Sequence, residues 1–118
     1  MLYNIALTIR LEVTLLGFPI TAALLDACVL SILAEDDTYG YELTKKLREK
    51  LQVSESTFYP VLRRLQANTF LRTYDVPHQG RNRRYYAITD EGRVQLEQFS
   101  KDWKEFRDRL DGFLRSDG

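Results

Sequence analysis

Residues 54–89 read SESTFYPVLRRLQANTFLRTYDVPHQGRNRRYYAIT, and this stretch predicts a short helix followed by a β-hairpin. Four apolar residues of the helix fall at i, i+3, i+4 and i+7, a spacing that predicts one face packed on a core: Phe58, Val61, Leu62 and Leu65. Residues 71–76 and 83–88 are β-prone, and the connection at 77–82 is rich in turn-forming residues. A helix followed by such a hairpin predicts a winged helix-turn-helix.

Positive charge is concentrated in the same stretch. Between residues 56 and 88 the acidic residue is Asp75, and six basic residues leave a net charge of five positive: Arg63, Arg64, Arg72, Arg81, Arg83 and Arg84. The whole chain has 17 basic and 17 acidic residues, so its average charge conceals this segment. A local basic surface is typical of proteins that bind nucleic acid. We therefore expect double-stranded DNA as a partner.

The candidate DNA-binding residues lie on the polar face of the helix and on the hairpin: Ser56, Thr57, Tyr59, Arg63, Arg64, Arg81, Arg83 and Arg84. Small hydroxyl-bearing residues near a helix N-terminus can approach base edges, and the helix dipole favours phosphate there. Arginines on a wing can lie along the phosphate backbone or in the minor groove. Ser54 is a favoured N-cap residue, and Pro60 predicts a local bend or shortening of the helix.

Two further helices are predicted before this stretch. The first runs from about residue 21 to residue 34 and has a broad apolar face. Residues 35–38 form a polar turn, and a second helix over residues 40–51 places Leu43, Leu47 and Leu51 at four-residue spacing. The second helix, a tight turn and the helix after Ser54 make the helix-turn-helix.

Thr89 is predicted to cap a last helix with a sharply defined apolar seam. Its members are spaced 3-4-3-4-3 and are the expected dimer interface: Leu96, Phe99, Trp103, Phe106, Leu110 and Phe113. The seam could pack on the chain's own core or pair with a second copy across a two-fold axis. A chain of 118 residues has little core left to cover it, so we expect a homodimer.

These elements predict a mainly α fold with a small β-hairpin, a winged helix-turn-helix plus a C-terminal dimerisation helix. We assign residues 1–20 to an N-terminal extension, 21–89 to a winged helix DNA-binding domain and 90–118 to the dimerisation helix. The extension could supply a short extra strand or helix. Its apolar run is interrupted well before the roughly 20 residues that a membrane span needs, so a soluble cytoplasmic protein is expected.

An enzyme is the main alternative class of function, and the sequence argues against it. His78 is the only histidine and lies in the predicted hairpin, while no glycine-rich phosphate loop and no catalytic carboxylate pair stand out. Cys28 is the only cysteine, which excludes an intramolecular disulfide and a cysteine-rich zinc site. We expect no metal and no cofactor. A winged-helix protein-interaction module without DNA binding is the second alternative, and the arginines of the hairpin argue against it.

Three motifs resemble the PadR family of transcriptional regulators: YGYEL at residues 39–43, SESTFYPVLRRL at 54–65 and RYYAITDEG at 84–92. The resemblance covers roughly residues 22–114. It implies a winged-helix domain, a C-terminal dimerisation helix and repression of a nearby promoter that small molecules relieve. The chain departs from the family pattern at Ser56, where glycine is common, and at Asn68 and Thr69, which replace the usual acidic-glycine turn.

The single short C-terminal helix with Trp103 is similar to that of the compact PadR members, which bind flat aromatic or cationic drugs between paired tryptophans. The resemblance therefore implies a small planar aromatic effector, with Trp103, Phe99 and Phe106 as its candidate ligand-binding residues. Longer members of the family respond to phenolic acids. Large aromatic residues also fill ordinary interfaces, so Trp103 as a simple interface filler stays open.

Overall fold

The computed structural model describes residues 13–15 and 18–115. Strands β1 (Val13–Leu15) and β2 (Phe18–Ile20) pair in antiparallel register, with Val13 opposite Ile20. This hairpin is one of the forms expected for the N-terminal extension. The remainder of the extension, residues 1–12 and 16–17, lies outside the described residues, as do the last three residues of the predicted dimerisation helix.

Among the residues that the structure describes, four α-helices and a three-stranded sheet form a winged helix-turn-helix with an added C-terminal helix, which is the fold class predicted from the sequence. In chain order the elements are α1 (Ala22–Glu35), β3 (Thr38–Tyr39), α2 (Gly40–Leu51), α3 (Phe58–Ala67), β4 (Leu71–His78), β5 (Arg81–Ile88) and α4 (Asp90–Leu114). The sheet is antiparallel in the order β3-β5-β4. No helix between residues 18 and 115 combines the length and the apolar character that a bilayer crossing requires.

The sheet has one strand more than the predicted hairpin. Thr38, assigned from sequence to a polar turn, is buried and pairs with Tyr86 of β5. Two residues are too few to show the alternating pattern by which a strand is recognised in a sequence. The third strand covers the edge of β5 that a simple hairpin would leave open.

Threonine caps open the first and the last helix. The Thr21 hydroxyl accepts a hydrogen bond from the Leu24 N–H, and the Thr89 hydroxyl accepts one from the Gly92 N–H. Both bonds satisfy amides that have no partner within the helix. The predicted cap at Thr89 is confirmed, and Thr21 is the cap of α1 rather than its first helical residue.

Ser54 occupies an N-cap position as predicted, but it precedes a 3-10 turn and its side chain caps no backbone amide. Residues Glu55–Thr57 form a 3-10 turn, α3 begins at Phe58, and the Ser54 hydroxyl lies 3.2 Å from the Thr57 hydroxyl instead of capping a backbone amide. An α-helix starting at Glu55 would need an amide hydrogen at Pro60, which proline lacks. Because α3 starts later, Pro60 falls in its first turn, where amide groups have no helical partner anyway.

The wing is longer and its loop tighter than predicted. Strands β4 and β5 pair as far as His78 and Arg81, so four residues of the predicted 77–82 connection belong to the ladder. The remaining loop is Gln79 and Gly80, with φ of 51° and 78°. Positive φ at both loop residues is the conformation of the two-residue turn that matches the twist of paired strands. Pro77 fits because β4 is an edge strand.

One hydrophobic core lies between α1, α2, α3 and the sheet. The stripe predicted for the third helix is confirmed, since each of its four apolar residues is buried. They pack with side chains from the neighbouring elements: Leu25, Val29, Leu30, Leu33, Leu43, Leu47, Val53, Leu71 and Ile88. Leu96 of α4 packs against this core from outside.

The first turn of α4 is fixed tightly to the base of the wing. The Thr89 N–H donates to the Phe70 carbonyl at 3.1 Å, and the Thr89 hydroxyl donates to the Thr69 carbonyl at 2.6 Å. A Cβ at Gly92 would overlap the Phe70 carbonyl oxygen and would lie 2.8 Å from Cγ1 of Ile88. Glycine therefore allows α4 to approach the wing this closely.

Candidate nucleic-acid interface

The start of the third helix is tied to α2 through Glu55. The buried Thr44 hydroxyl donates to Oε1 of Glu55 at 3.0 Å, and Nη1 of Arg48 lies 3.8 Å from the other carboxylate oxygen. These contacts join α2 to the 3-10 turn that precedes α3.

The face of α3 opposite the core carries three side chains at i, i+4 and i+7. They are Tyr59, Arg63 and Gln66, and all three are exposed. Among the residues that the structure describes, no carboxylate lies within 4.0 Å of the Arg63 guanidinium. The predicted contact residues Ser56 and Thr57 lie just before this helix, each with its hydroxyl 3.2 Å from that of Ser54. The N-terminus of α3 therefore presents a cluster of hydroxyl groups.

A cleft of about 260 Å³ separates this face of α3 from the wing. Its lining brings together three of the predicted DNA-binding residues, Tyr59, Arg63 and Arg84, from distant parts of the sequence. The other lining residues are Leu62, Gln66 and Tyr86. Gln66 and Tyr86 were not predicted. The position of Gln66 could have been found from the sequence, because it continues the helical spacing of Tyr59 and Arg63.

The three predicted wing arginines lie on two different faces of the sheet. Side chains alternate along a strand, so Arg84 shares a face with Tyr86, while Arg81 and Arg83 share the opposite face with Tyr85. The face of Arg84 is the one turned toward α3. The exposed Arg84 guanidinium also lies 3.9 Å from the Asp75 carboxylate, an ion pair of the weak solvent-exposed kind.

The outer face of the wing carries a row of tyrosines across all three strands. The ring centres of Tyr39 and Tyr85 are 5.6 Å apart, and those of Tyr74 and Tyr85 are 5.5 Å apart. The Arg83 guanidinium lies 4.0 Å from the centre of the Tyr39 ring, within cation–π range. Arg83 is therefore held against the sheet, and Arg81 lies further out, beside the loop.

A hydrogen bond fastens this row to the segment before β3. The Tyr74 hydroxyl donates to Oδ2 of Asp37 at 2.7 Å. This bond to a carboxylate is the main reason why the pKa of Tyr74 lies above its ordinary value, and burial raises the pKa further. The wing is thus connected to the loop after α1 as well as to β3.

Arg64 is placed differently from its neighbour Arg63. It lies on the flank of α3 that faces α1, where its Nη2 atom forms an ion pair with Oδ1 of Asp26. Both side chains are half-buried, at 39% and 27% exposure. Arg64 is therefore engaged within the protein, outside the cleft that holds Tyr59, Arg63 and Arg84.

Helix α4 is covered only near its start. Leu96 packs on the core and Phe99 is half-buried, whereas the exposed fractions of Trp103 and Phe106 are 42% and 57%. The end of the seam is also open, with Leu110 at 40% and Phe113 at 87% exposure. The chain's own core thus accounts for one end of the predicted interface and leaves the rest uncovered.

An apolar groove of about 390 Å³ runs between α1, α2 and α4. Its walls include Leu24, Cys28, Ile32, Leu51, Leu96 and Trp103. A second hollow of about 290 Å³ brings together the three predicted ligand-binding residues, Phe99, Trp103 and Phe106, beside Leu24. Burial raises the pKa of the Cys28 thiol, so this wall of the groove is uncharged at neutral pH.

Comparison with known proteins identifies the family. The sequence profile of the Transcriptional regulator PadR-like family matches residues 29–98, which include α2, α3, the wing and the first turns of α4. The chain belongs to the PadR family. Its winged helix is accordingly the DNA-binding module of a transcriptional regulator, and the enzyme alternative is set aside because PadR members are regulators.

Solved structures and a curated relative agree with this assignment. A PadR family transcription regulator from Clostridium difficile superposes with a TM-score of 0.71 at 32% identity, over 77% of this chain and 98% of that one. A Streptococcus mutans protein superposes with a TM-score of 0.75 at 34% identity, over 84% and 93% of the two chains. A transcriptional regulator of Mycobacterium tuberculosis is 38% identical over 69 residues, 58% of this chain and 64% of the relative.

Proposed function

We propose that this PadR-family protein is a homodimeric repressor that binds a pseudo-palindromic promoter site and releases it when a planar aromatic effector binds. The observation that carries the proposal is the cleft between α3 and the wing. Tyr59, Arg63 and Arg84 converge there, in the segment of the chain with a net charge of five positive. A polar, cationic face beside a helix N-terminus is suited to the major groove and its flanking phosphates.

We propose that the residues of this surface make two kinds of contact with DNA, to base edges and to phosphates. Ser56, Thr57 and Tyr59 read base edges, because they lie at the N-terminal end of the recognition segment. Arg63 and Arg84 bind phosphate on either side of the cleft, and the two fix the register of the helix. Arg81, near the loop, reaches the neighbouring backbone.

Dimerisation is proposed from the uncovered part of the seam on α4. Trp103, Phe106, Leu110 and Phe113 expose large apolar side chains at heptad-like spacing on a helix of 25 residues. Contiguous exposed apolar surface of this kind is typical of an interaction site. A two-fold pair of these helices would present two α3 helices to half-sites about 34 Å apart, which requires a pseudo-palindromic operator.

The effector is proposed to bind beside Trp103. A tryptophan near the middle of a two-fold helix pair meets its own symmetry mate, and the hollow formed with Phe99 and Phe106 leaves space for a flat ring. Stacking adds about 1 kcal/mol for each ring beyond the area buried. Asp102 lies in the wall of the same hollow beside the Trp103 ring, so a cationic aromatic compound is favoured there.

The DNA-binding part of the proposal is tested by selecting the genomic fragments that the purified protein retains at physiological salt. We expect enrichment of a promoter fragment with two inverted half-sites, and repression of a reporter placed behind it. Absence of any enriched fragment would favour a protein-interaction module without DNA binding. Activation of the reporter would contradict the repressor role alone.

The contact residues are tested by the salt dependence of binding to that fragment. Replacing Arg63 or Arg84 with glutamine should lower the slope of log affinity against log salt by about one per subunit for each lost phosphate contact. Arg107→Gln on α4 is the matched control, because the same charge is removed far from the cleft. Equal slopes for all three variants would contradict the assignment.

The dimer is tested with Phe106→Asp, which introduces a charge into the middle of the seam. We expect monomers at micromolar concentration by analytical ultracentrifugation, together with weaker DNA binding. The matched control is Glu105→Asp, which changes the adjacent residue but keeps its charge. A monomeric unmutated protein at micromolar concentration would overturn this part of the proposal.

A further inference from the structure

Asp26 lies at a point where α1 touches the recognition helix. Its carboxylate forms an ion pair with Arg64, 38 residues away in the sequence. The next residues along α1, Ala27 and Cys28, face the other way and line the apolar groove. One helix therefore contacts the groove on one side and the recognition helix on the other.

Apolar packing and an ion pair together hold α3 against α1. Leu25 and Val29 meet the stripe of α3 as part of one hydrophobic cluster, and such contacts are non-directional. A charged hydrogen bond is directional and short, and this one is half-buried, where charges interact more strongly than at the open surface. The pair thus adds a directional contact that favours one position of α3 along α1.

We propose that Asp26 and Arg64 are positioning residues for DNA recognition, and that Arg64 acts through its ion pair without contacting phosphate. The inference rests on the proposed DNA-binding function. Arg63 extends from the exposed face of α3 into the cleft. Arg64, the next residue, lies on the side of α3 that faces α1. On this proposal Arg63 contacts DNA, and the adjacent Arg64 positions the helix.

The experiment separates positioning from direct contact because the two predict opposite effects of Asp26→Asn. If Arg64 binds phosphate, losing Asp26 frees the guanidinium, so affinity for the genomically selected fragment stays equal or rises. If Arg64 positions α3, Asp26→Asn and Arg64→Gln should each weaken binding by about tenfold while random-sequence DNA is bound almost as before. The salt slope should stay unchanged in both, in contrast to Arg63→Gln.

A double-mutant cycle and a charge swap complete the test. The double variant Asp26→Asn/Arg64→Gln should bind no more weakly than either single variant. The swap Asp26→Arg/Arg64→Asp should recover most of the affinity lost by Arg64→Asp alone, since the ion pair is rebuilt in reverse. Circular dichroism verifies that each variant is folded.

The outcomes distinguish this inference from the proposed function. Tight binding by Asp26→Asn, a lower salt slope for Arg64→Gln or no recovery in the swap overturns the positioning role and leaves DNA binding intact. No binding of the selected fragment by the unmutated protein overturns both.

Discussion

The winged-helix body and the second half of α4 carry the same kind of amphipathic pattern but differ in what covers it. In α3 the four apolar residues at helical spacing are all buried within the chain. In α4 the spacing is as regular, yet Trp103, Phe106 and Phe113 are exposed. Periodicity therefore identifies the face of a helix that needs a partner, and the tertiary structure identifies whether the chain supplies that partner.

The largest contrast is expected from truncating one phenylalanine in each region. Phe58 is fully buried in the core and Phe106 is 57% exposed. Phe58→Ala should lower the free energy of unfolding by about 4 kcal/mol at every protein concentration. Phe106→Ala should lower it mainly at concentrations where the unmutated protein is dimeric.

Chemical denaturation at two protein concentrations makes this measurement. The comparison fails if Phe106→Ala costs as much as Phe58→Ala in dilute protein. That result would mean that the open half of α4 is covered by its own chain in solution.

A second contrast uses the two glycines of α4. Gly92 lies against the Phe70 carbonyl at the covered N-terminal end of α4, whereas a Cβ at Gly112 would meet no atom within 4 Å. Gly92→Ala should destabilise the protein by about 3 kcal/mol, because the first turn must move off the wing. Gly112→Ala should stabilise it by up to about 1 kcal/mol through helix propensity.

Thermal unfolding of the two alanine variants, followed by circular dichroism, gives the sign of each change. Stability changes of opposite sign would support a helix that packs on the chain's own core at its N-terminal end and is exposed at its C-terminal end. A shift of the same sign and size in both variants would contradict that description.

A smaller effect on binding free energy is expected at Trp103, beside which the effector is proposed to bind on the exposed part of α4. Planar aromatic cations should quench tryptophan fluorescence with saturation and weaken DNA binding. Trp103→Ala should raise the effector concentration needed to release DNA by about fivefold or more, which corresponds to about 1 kcal/mol of lost stacking, and should leave the dimer intact. Dissociation of the dimer without any ligand effect would favour Trp103 as an interface filler.

The smallest effect is expected in the pH dependence of stability, through the tyrosine row on the outer face of the wing. The pKa of Tyr74 is higher in the folded protein than in the unfolded chain, because its hydroxyl donates to Asp37. Its contribution to stability is full below the unfolded pKa of about 10 and is lost as the pH rises through the folded pKa. Tyr74→Phe should therefore lose less stability than the unmutated protein between neutral and strongly alkaline pH.

Denaturant titrations at a series of pH values, with Tyr41→Phe as the control, test this dependence. Tyr41 is 61% exposed and lies outside the row. If the stability of the unmutated protein and that of Tyr74→Phe depend equally on pH, Tyr74 is not the cause of that dependence.

Several parts of the fold follow from short-range chemistry and were predicted for that reason. The stripe from Phe58 to Leu65 and the cap at Thr89 depend on residues within two turns of one another. Ser54 precedes a 3-10 turn and not the predicted α-helix, because Pro60, six residues further on, delays the start of the α-helix. The hairpin loop was predicted too long because cross-strand pairing extends through Pro77 and Asn82, whose residue types favour turns.

The sequence by itself determined the order of helices and hairpin, the local positive charge and the regular seam on α4, because each is a property of neighbouring residues. The tertiary structure decided where each arginine lies. Arg63 and Arg64 are adjacent in the chain, yet one faces the cleft and the other meets Asp26, 38 residues away. Such a pairing depends on how α1 packs on α3, and a spacing rule within one helix contains no information about the neighbour that the helix will meet.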